Sequence, residues 1–180
     1  NSSAEPSGQN KFADEAARLA AEFFDVAIKR NDFPKESLQA VQLRRIDLLR
    51  RSGEVMQSLK QIEDMLANEP NVFTLQIAAA QCLQQVAVKY ERSSDLVAAI
   101  EGPSGFSPIW GWGELVTTLH ATRYSASATP RHTEQLALAQ YNLFWCRYQL
   151  AFQIKDPEEK QRQLTAVEKS LAKTVAIMDK

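Results

Sequence analysis

The side chains best suited to bind a soft metal ion are two cysteines and two histidines. They are Cys82, His120, His132 and Cys146. The gaps between them are 38, 12 and 14 residues, and zinc sites use much shorter paired spacings. We therefore expect no metal site and no cofactor. We expect the cysteines to pack as small buried hydrophobic residues and the histidines to lie at the surface or at helix ends.

The charged residues show no pattern that suits catalysis. Adjacent acids on a helix diverge by about 100° and do not converge on one substrate. The acidic pairs are Glu63-Asp64 and Glu158-Glu159. The basic run 44–51 includes Asp47, one turn from the arginines at either end, which is typical of a solvated helix terminus. Phosphate-binding glycine loops, HExxH and CxxC motifs and nucleophile elbows do not occur in the sequence, so we expect no enzyme.

Two groups of aromatic residues are candidates for contacting a partner. Trp110 and Trp112 lie in a stretch rich in Gly and Pro, and aromatic anchors dominate many protein interfaces. The alternative for this pair is a hydrophobic plug that covers the end of a helical stack. Tyr141, Trp145 and Tyr148 follow one helical stripe, which predicts either a peptide-binding groove or a core face.

Net charge and composition argue against a nucleic-acid partner and against a membrane span. The 180 residues carry 21 basic and 22 acidic side chains, for a net charge of -1, whereas nucleic-acid binders usually show a basic excess. The uncharged stretch 102–113 is too short to span a bilayer, and we expect no membrane span. Residues 1–9 are small and polar and lack the apolar core of a signal peptide, so we expect a disordered leader. The compartment is not indicated.

Hydrophobic spacing predicts about eight helices and no strand, hence an all-α fold. The predicted helices cover residues 11–30, 36–51, 54–68, 71–90, 95–101, 109–122, 133–154 and 156–178. Asn71 is the expected cap of the fourth helix. Asp156, Pro157 and Glu159 form a strong start signal for the last. The helix over 133–154 carries two apolar stripes, which predicts packing on both sides. We expect one domain over 10–180, with an irregular insertion over 102–133.

Two segments repeat one pattern of small and large residues at an offset of 38 residues. The matching residues are Ala20, Phe24 and Ala27 in the first copy and Ser58, Ile62 and Met65 in the second, with Pro70 after the second. Residues 53–71 resemble a tetratricopeptide repeat, in which a small residue of the second helix lets the first approach. Residues 139–151 look like a first helix of that family. The family period is about 34 residues, and residues 93–133 fit no repeat. A HEAT-like array and an irregular helical bundle are the alternative folds.

The resemblance implies antiparallel helix pairs stacked as a right-handed superhelix. It also implies a non-catalytic module that binds a protein, a peptide or another part of its own polypeptide. The opening helix would then be half a repeat, as in a piece of a longer polypeptide. The alternative function is a small-ligand binder or enzyme with a pocket between helices 109–122 and 133–154. Its candidate polar residues are His120, Arg123, Tyr141 and Arg147.

Overall fold

The computed structural model describes residues 8–105, 110–126 and 128–178. The protein is 82% helical, and the described residues form no strand. The prediction of an all-α fold is confirmed. Of the predicted leader, residues 1–7 lie outside the described residues, while Gly8 and Gln9 belong to the first helix.

Eight helices follow one another along the described chain, and each begins and ends within three residues of its predicted bounds. They are α1 (Gly8–Lys29), α2 (Lys35–Arg51), α3 (Val55–Asn68), α4 (Phe73–Tyr90), α5 (Ser93–Glu101), α6 (Trp112–Arg123), α7 (Pro130–Gln153) and α8 (Pro157–Met178).

Helix starts show which capping signals the chain uses. Asp156 caps α8 as predicted, because its carboxylate accepts the backbone N–H of Glu158 at 2.9 Å and that of Glu159 at 3.3 Å. The predicted Asn71 cap is wrong: Val72 is the residue at the N-cap of α4, and its side chain makes no capping bond. At α7 the backbone N–H of Thr129 donates to Nδ1 of His132 at 3.2 Å.

The chain divides into two compact units, residues 1–69 and 70–180, and the single domain stays a prediction. In the first unit α1 packs on α2 and α2 packs on α3. Small residues of α1 allow the close approach to α2. The buried centre is Ala21, Leu48 and Leu49, with Ala17, Ala20 and Phe24 packed against it.

The α2–α3 pair shows the close approach that the repeat pattern predicts at Ser58. Ser58 is fully buried, and its hydroxyl donates to the carbonyl oxygen of Ile46 at 3.1 Å. A larger residue here would hold the helices apart. Arg45 of α2 links all three helices of the unit. Its guanidinium lies 3.1 Å from the carboxylate of Asp25 on α1 and donates a hydrogen bond to Gln61 on α3.

The second unit contains α4 to α8. Helices next to each other in the chain pack together, and so do α4 with α6 and α5 with α7. Contacts between each helix and its second neighbour arise when one helical hairpin is laid on another. Helix α8 closes the series by packing on α7.

The Gly- and Trp-containing turn before α6 is packed inside this unit. Trp110 is 1% exposed and Trp112 is 0% exposed, and the indole N–H of Trp112 donates to the side-chain oxygen of Gln84 at 3.1 Å. Helix α6 begins at Trp112 rather than at residue 109. Trp110 therefore precedes the helix, and the two rings are not forced to opposite helix faces. Their burial favours the interpretation of these residues as a hydrophobic plug. It leaves almost no surface of either indole exposed for contact with a partner.

Candidate functional site

Helix α7 is apolar on two faces, and the structure buries only one of them. Leu136, Ala139, Leu143 and Cys146 are buried. The opposite face is Leu138, Tyr141, Trp145, Tyr148 and Phe152, which we call the aromatic stripe. Tyr141 is 66% exposed and Phe152 is 49% exposed. The prediction that this helix packs on both sides is therefore wrong for most of the aromatic stripe, because four of its five members are exposed and only Trp145 is half-buried.

A lysine from the first turn of α8 contacts the last residue of the aromatic stripe. The rings of Tyr148 and Phe152 lie 4.9 Å apart between centroids. The ammonium group of Lys160 lies 4.3 Å from the centroid of Phe152 and donates to the backbone carbonyl of the same residue at 3.1 Å. This cation–π contact holds one aromatic ring in place before any partner arrives.

A shallow groove of about 480 Å³ runs beside the stripe at Trp145. Its other lining residues are Ala87, Val88, Glu91, Leu96, Gln149 and Gln153. Trp145 is half-buried and lines this groove. The lining is mainly apolar, with the side-chain amides of Gln149 and Gln153 and the carboxylate of Glu91 as its polar groups. The sequence analysis did not predict this groove, because its lining residues come from three helices that only tertiary packing brings together.

The four candidate residues of the alternative pocket between α6 and α7 lie in three different parts of the described structure. His120 and Arg123 lie in the last turn of α6 and surround Tyr124, with ring and guanidinium distances of 5.3 and 5.6 Å. Tyr141 belongs to the aromatic stripe. Arg147 lies instead in a groove of about 470 Å³ between α7 and α8. It is about 25 Å along α7 from the helix start, at 1.5 Å of rise per residue.

The two cysteines and two histidines considered as metal ligands lie on three helices. Cys82 and Cys146 are fully buried, and desolvation raises the pKa of the Cys146 thiol to about 12. His120 lies at the end of α6 and His132 at the start of α7, where its ring contacts Phe73 at 5.8 Å. Within residues 8–105, 110–126 and 128–178, no three histidine, cysteine or acidic side chains are grouped to hold a metal ion.

The thiol chemistry of the native protein should follow this burial. At pH 8 a thiol with a pKa of about 12 is ionised in about one molecule in ten thousand. Because the thiolate is the nucleophile, we expect Cys146 not to react with an aromatic disulfide reagent at this pH until the protein is unfolded. We expect the same of Cys82 because its side chain is fully buried. Release of chromophore, followed with and without denaturant, measures this. Rapid reaction of the folded protein would contradict the described burial.

Among the described helices, none combines the length and the apolar character needed to cross a membrane. No protein-family model, curated protein or solved structure matches this chain.

Proposed function

We propose that the protein is a non-catalytic helical-repeat module that binds a segment of another protein along the aromatic stripe of α7. The observation that carries this proposal is the exposure of the stripe. Tyrosine, tryptophan and phenylalanine lie side by side on one helix face, and they are among the residues that supply most binding energy at interfaces. Exposed apolar surface that is contiguous usually marks an interaction site.

The packing of both units supports the tetratricopeptide-like part of the proposal. In the first unit, Ser58 is the small residue at which α2 and α3 approach each other. In the second unit, contacts between second-neighbour helices are those of stacked hairpins. Stacked two-helix units bury their shared faces and leave an extended surface for binding. We propose α7 as the helix that presents this surface.

The partner segment is defined by what the stripe offers. The stripe itself carries no charged side chain; Lys160 provides a cation at its end and Glu91 an anion in the groove. The tyrosine hydroxyls and the amides of Gln149 and Gln153 supply hydrogen bonds along its sides. We therefore propose a short segment with apolar anchors and few charges, bound in the groove beside Trp145.

A displayed library of random peptides, selected on the wild-type protein, tests the proposal. Tyr141 and Tyr148 are both exposed, so Tyr141→Ala and Tyr148→Ala should leave the melting temperature nearly unchanged. Each should weaken selected peptides by about 2 kcal/mol, or roughly 30-fold in Kd. Tyr124→Ala is the matched control, because Tyr124 is 68% exposed and lies outside the stripe.

Fluorescence gives a direct reading of the same binding event. Trp145 is half-buried beside the groove, while Trp110 and Trp112 are buried elsewhere in the unit. Peptide bound to the stripe should change the emission of Trp145, and Trp145→Phe should abolish that change. Peptides that bind equally well to both tyrosine variants, or a selection that yields no binder, would count against the stripe as the binding face.

A further inference from the structure

Helix α1 also has two apolar faces, and α2 covers only one of them. Its covered face includes Ala21 and Ala27, which are 1% and 4% exposed. On the other side Phe12 is 79% exposed and Phe23 is 67% exposed. We call this side the α1 outer face, and its members are Phe12, Ala16, Leu19, Phe23 and Val26.

The α1 outer face has the spacing of a coiled-coil seam. Its members follow one another at intervals of four, three, four and three residues, which is the heptad pattern of paired helices. The same series continues to Arg30, which is exposed at the end of α1. A seam of this kind fits a second helix lying along α1.

We propose that the α1 outer face is an interface with a second copy of this chain, with the two α1 helices antiparallel about a twofold axis. In this arrangement Phe23 packs against Leu19 of the second copy, and Ala16 packs against the second copy's Val26. The series then brings Arg30 over the ring of Phe12 of the second copy, a favourable cation–π geometry. The proposal is independent of the function proposed for α7.

Charge on the flanks of the seam selects this occupant and this orientation. One flank is exposed and carries Glu15, Glu22 and Lys29 at heptad intervals. The other carries only alanines, at 13, 20 and 27, and Ala20 and Ala27 lie at the edge of the face that α2 covers. Antiparallel helices place like flanks together. The register given above therefore sets Glu15 opposite Lys29 of the second copy, and the symmetry makes this ion pair twice. Parallel helices would set the acidic flank against alanine and form no pair.

The centre of the symmetric arrangement brings the two Glu22 carboxylates near the axis. Arg18 lies on the same side of α1 and makes ion pairs with both Glu15 and Glu22. Its guanidinium therefore lies where its positive charge offsets the repulsion between the two Glu22 carboxylates. Lys29 contacts Asp25 at 2.7 Å, which leaves donors of its ammonium group for a carboxylate of the second copy.

Analytical ultracentrifugation of the full chain tests the dimer. We expect the wild type to dimerise with a dissociation constant on the order of 10 µM. Leu19→Glu should weaken the dimer at least about 100-fold, because two buried charges enter one seam. Leu171→Glu is the matched control: Leu171 is 44% exposed, on α8, and its change should leave the dimer intact. A wild type that is monomeric at about 500 µM, or a dimer insensitive to Leu19→Glu, would overturn the proposal.

A charge exchange tests the antiparallel register. Glu15→Lys and Lys29→Glu should each weaken dimerisation by about tenfold, because each places like charges opposite each other twice. The double variant should regain the wild-type dissociation constant within about threefold. Circular dichroism of every variant separates loss of the dimer from loss of α1. A double variant that is weaker than either single one would overturn the antiparallel arrangement.

Discussion

Replacing Ile62 by aspartate should lower the free energy of unfolding by about 4–5 kcal/mol. Ile62 is fully buried on the face of α3 that also carries Ser58 and Leu66. The packing of α3 on α2 leaves no water to hydrate a carboxylate at this depth. The substitution also removes the dispersion contacts of the isoleucine side chain. Urea denaturation followed by circular dichroism measures the change.

Two variants calibrate this result. Met56 lies on the same helix but is 53% exposed, so Met56→Asp should change the free energy of unfolding by less than about 0.5 kcal/mol. Ile62→Val removes one methylene from the buried site and should cost about 1 kcal/mol. An unchanged urea midpoint for Ile62→Asp would place Ile62 at the surface and would shift the repeat register of α3.

Replacing Gly111 by alanine should destabilise the protein by about 3–4 kcal/mol, although it adds a single methyl group. A Cβ atom at this position would lie 2.2 Å from the backbone nitrogen of Gly102 and 2.5 Å from the carbonyl oxygen of Ile100. Both are backbone atoms at the end of α5 and cannot rotate away. The turn that holds Trp110 and Trp112 in the core must therefore shift. Near-ultraviolet circular dichroism of the buried indoles and the melting temperature report this change.

Gly113 is the matched control for this steric argument. A Cβ atom on Gly113 would lie 3.1 Å from the carbonyl oxygen of Ile100, which would have to move by only a few tenths of an ångström. Because alanine also favours the helix by about 1 kcal/mol over glycine, Gly113→Ala should change stability little. Equal effects of the two substitutions would mean that α6 does not begin in close contact with the end of α5.

The aromatic residues of α7 show what residue spacing can predict and what it cannot. Spacing placed Tyr141, Trp145 and Tyr148 on one face of a helix, and that prediction is confirmed. Spacing does not distinguish a core face from a groove, because an apolar stripe has the same period in both cases. The exposed fraction of each ring depends on how α5, α6 and α8 pack beside α7. The groove beside Trp145 had no signal in the sequence, since its wall joins residues of α4 and α5 to those of α7.

In helix α1, too, the sequence pattern does not say which apolar face is buried, and here the face with the larger side chains is the exposed one. Its most regular apolar stripe begins at Phe12 and includes Leu19 and Phe23, yet these residues are exposed. Small residues at Ala17, Ala20 and Ala21 form the packed face instead, together with Phe24. Large apolar side chains dominate a hydrophobicity pattern. The close approach of α1 to α2, however, favours residues that keep the two backbones near each other.

The sequence by itself determined the helices. Periodicity, the Asp156 cap and the breaks at glycine and proline are local properties, because a helix satisfies its backbone hydrogen bonds within a few residues. The tertiary structure decided which apolar face of α1 and of α7 is covered and which faces solvent. It also decided that Trp110 and Trp112 are core residues. These outcomes depend on contacts between residues far apart in the chain, and the same hydrophobic period is compatible with either side of a helix facing the core.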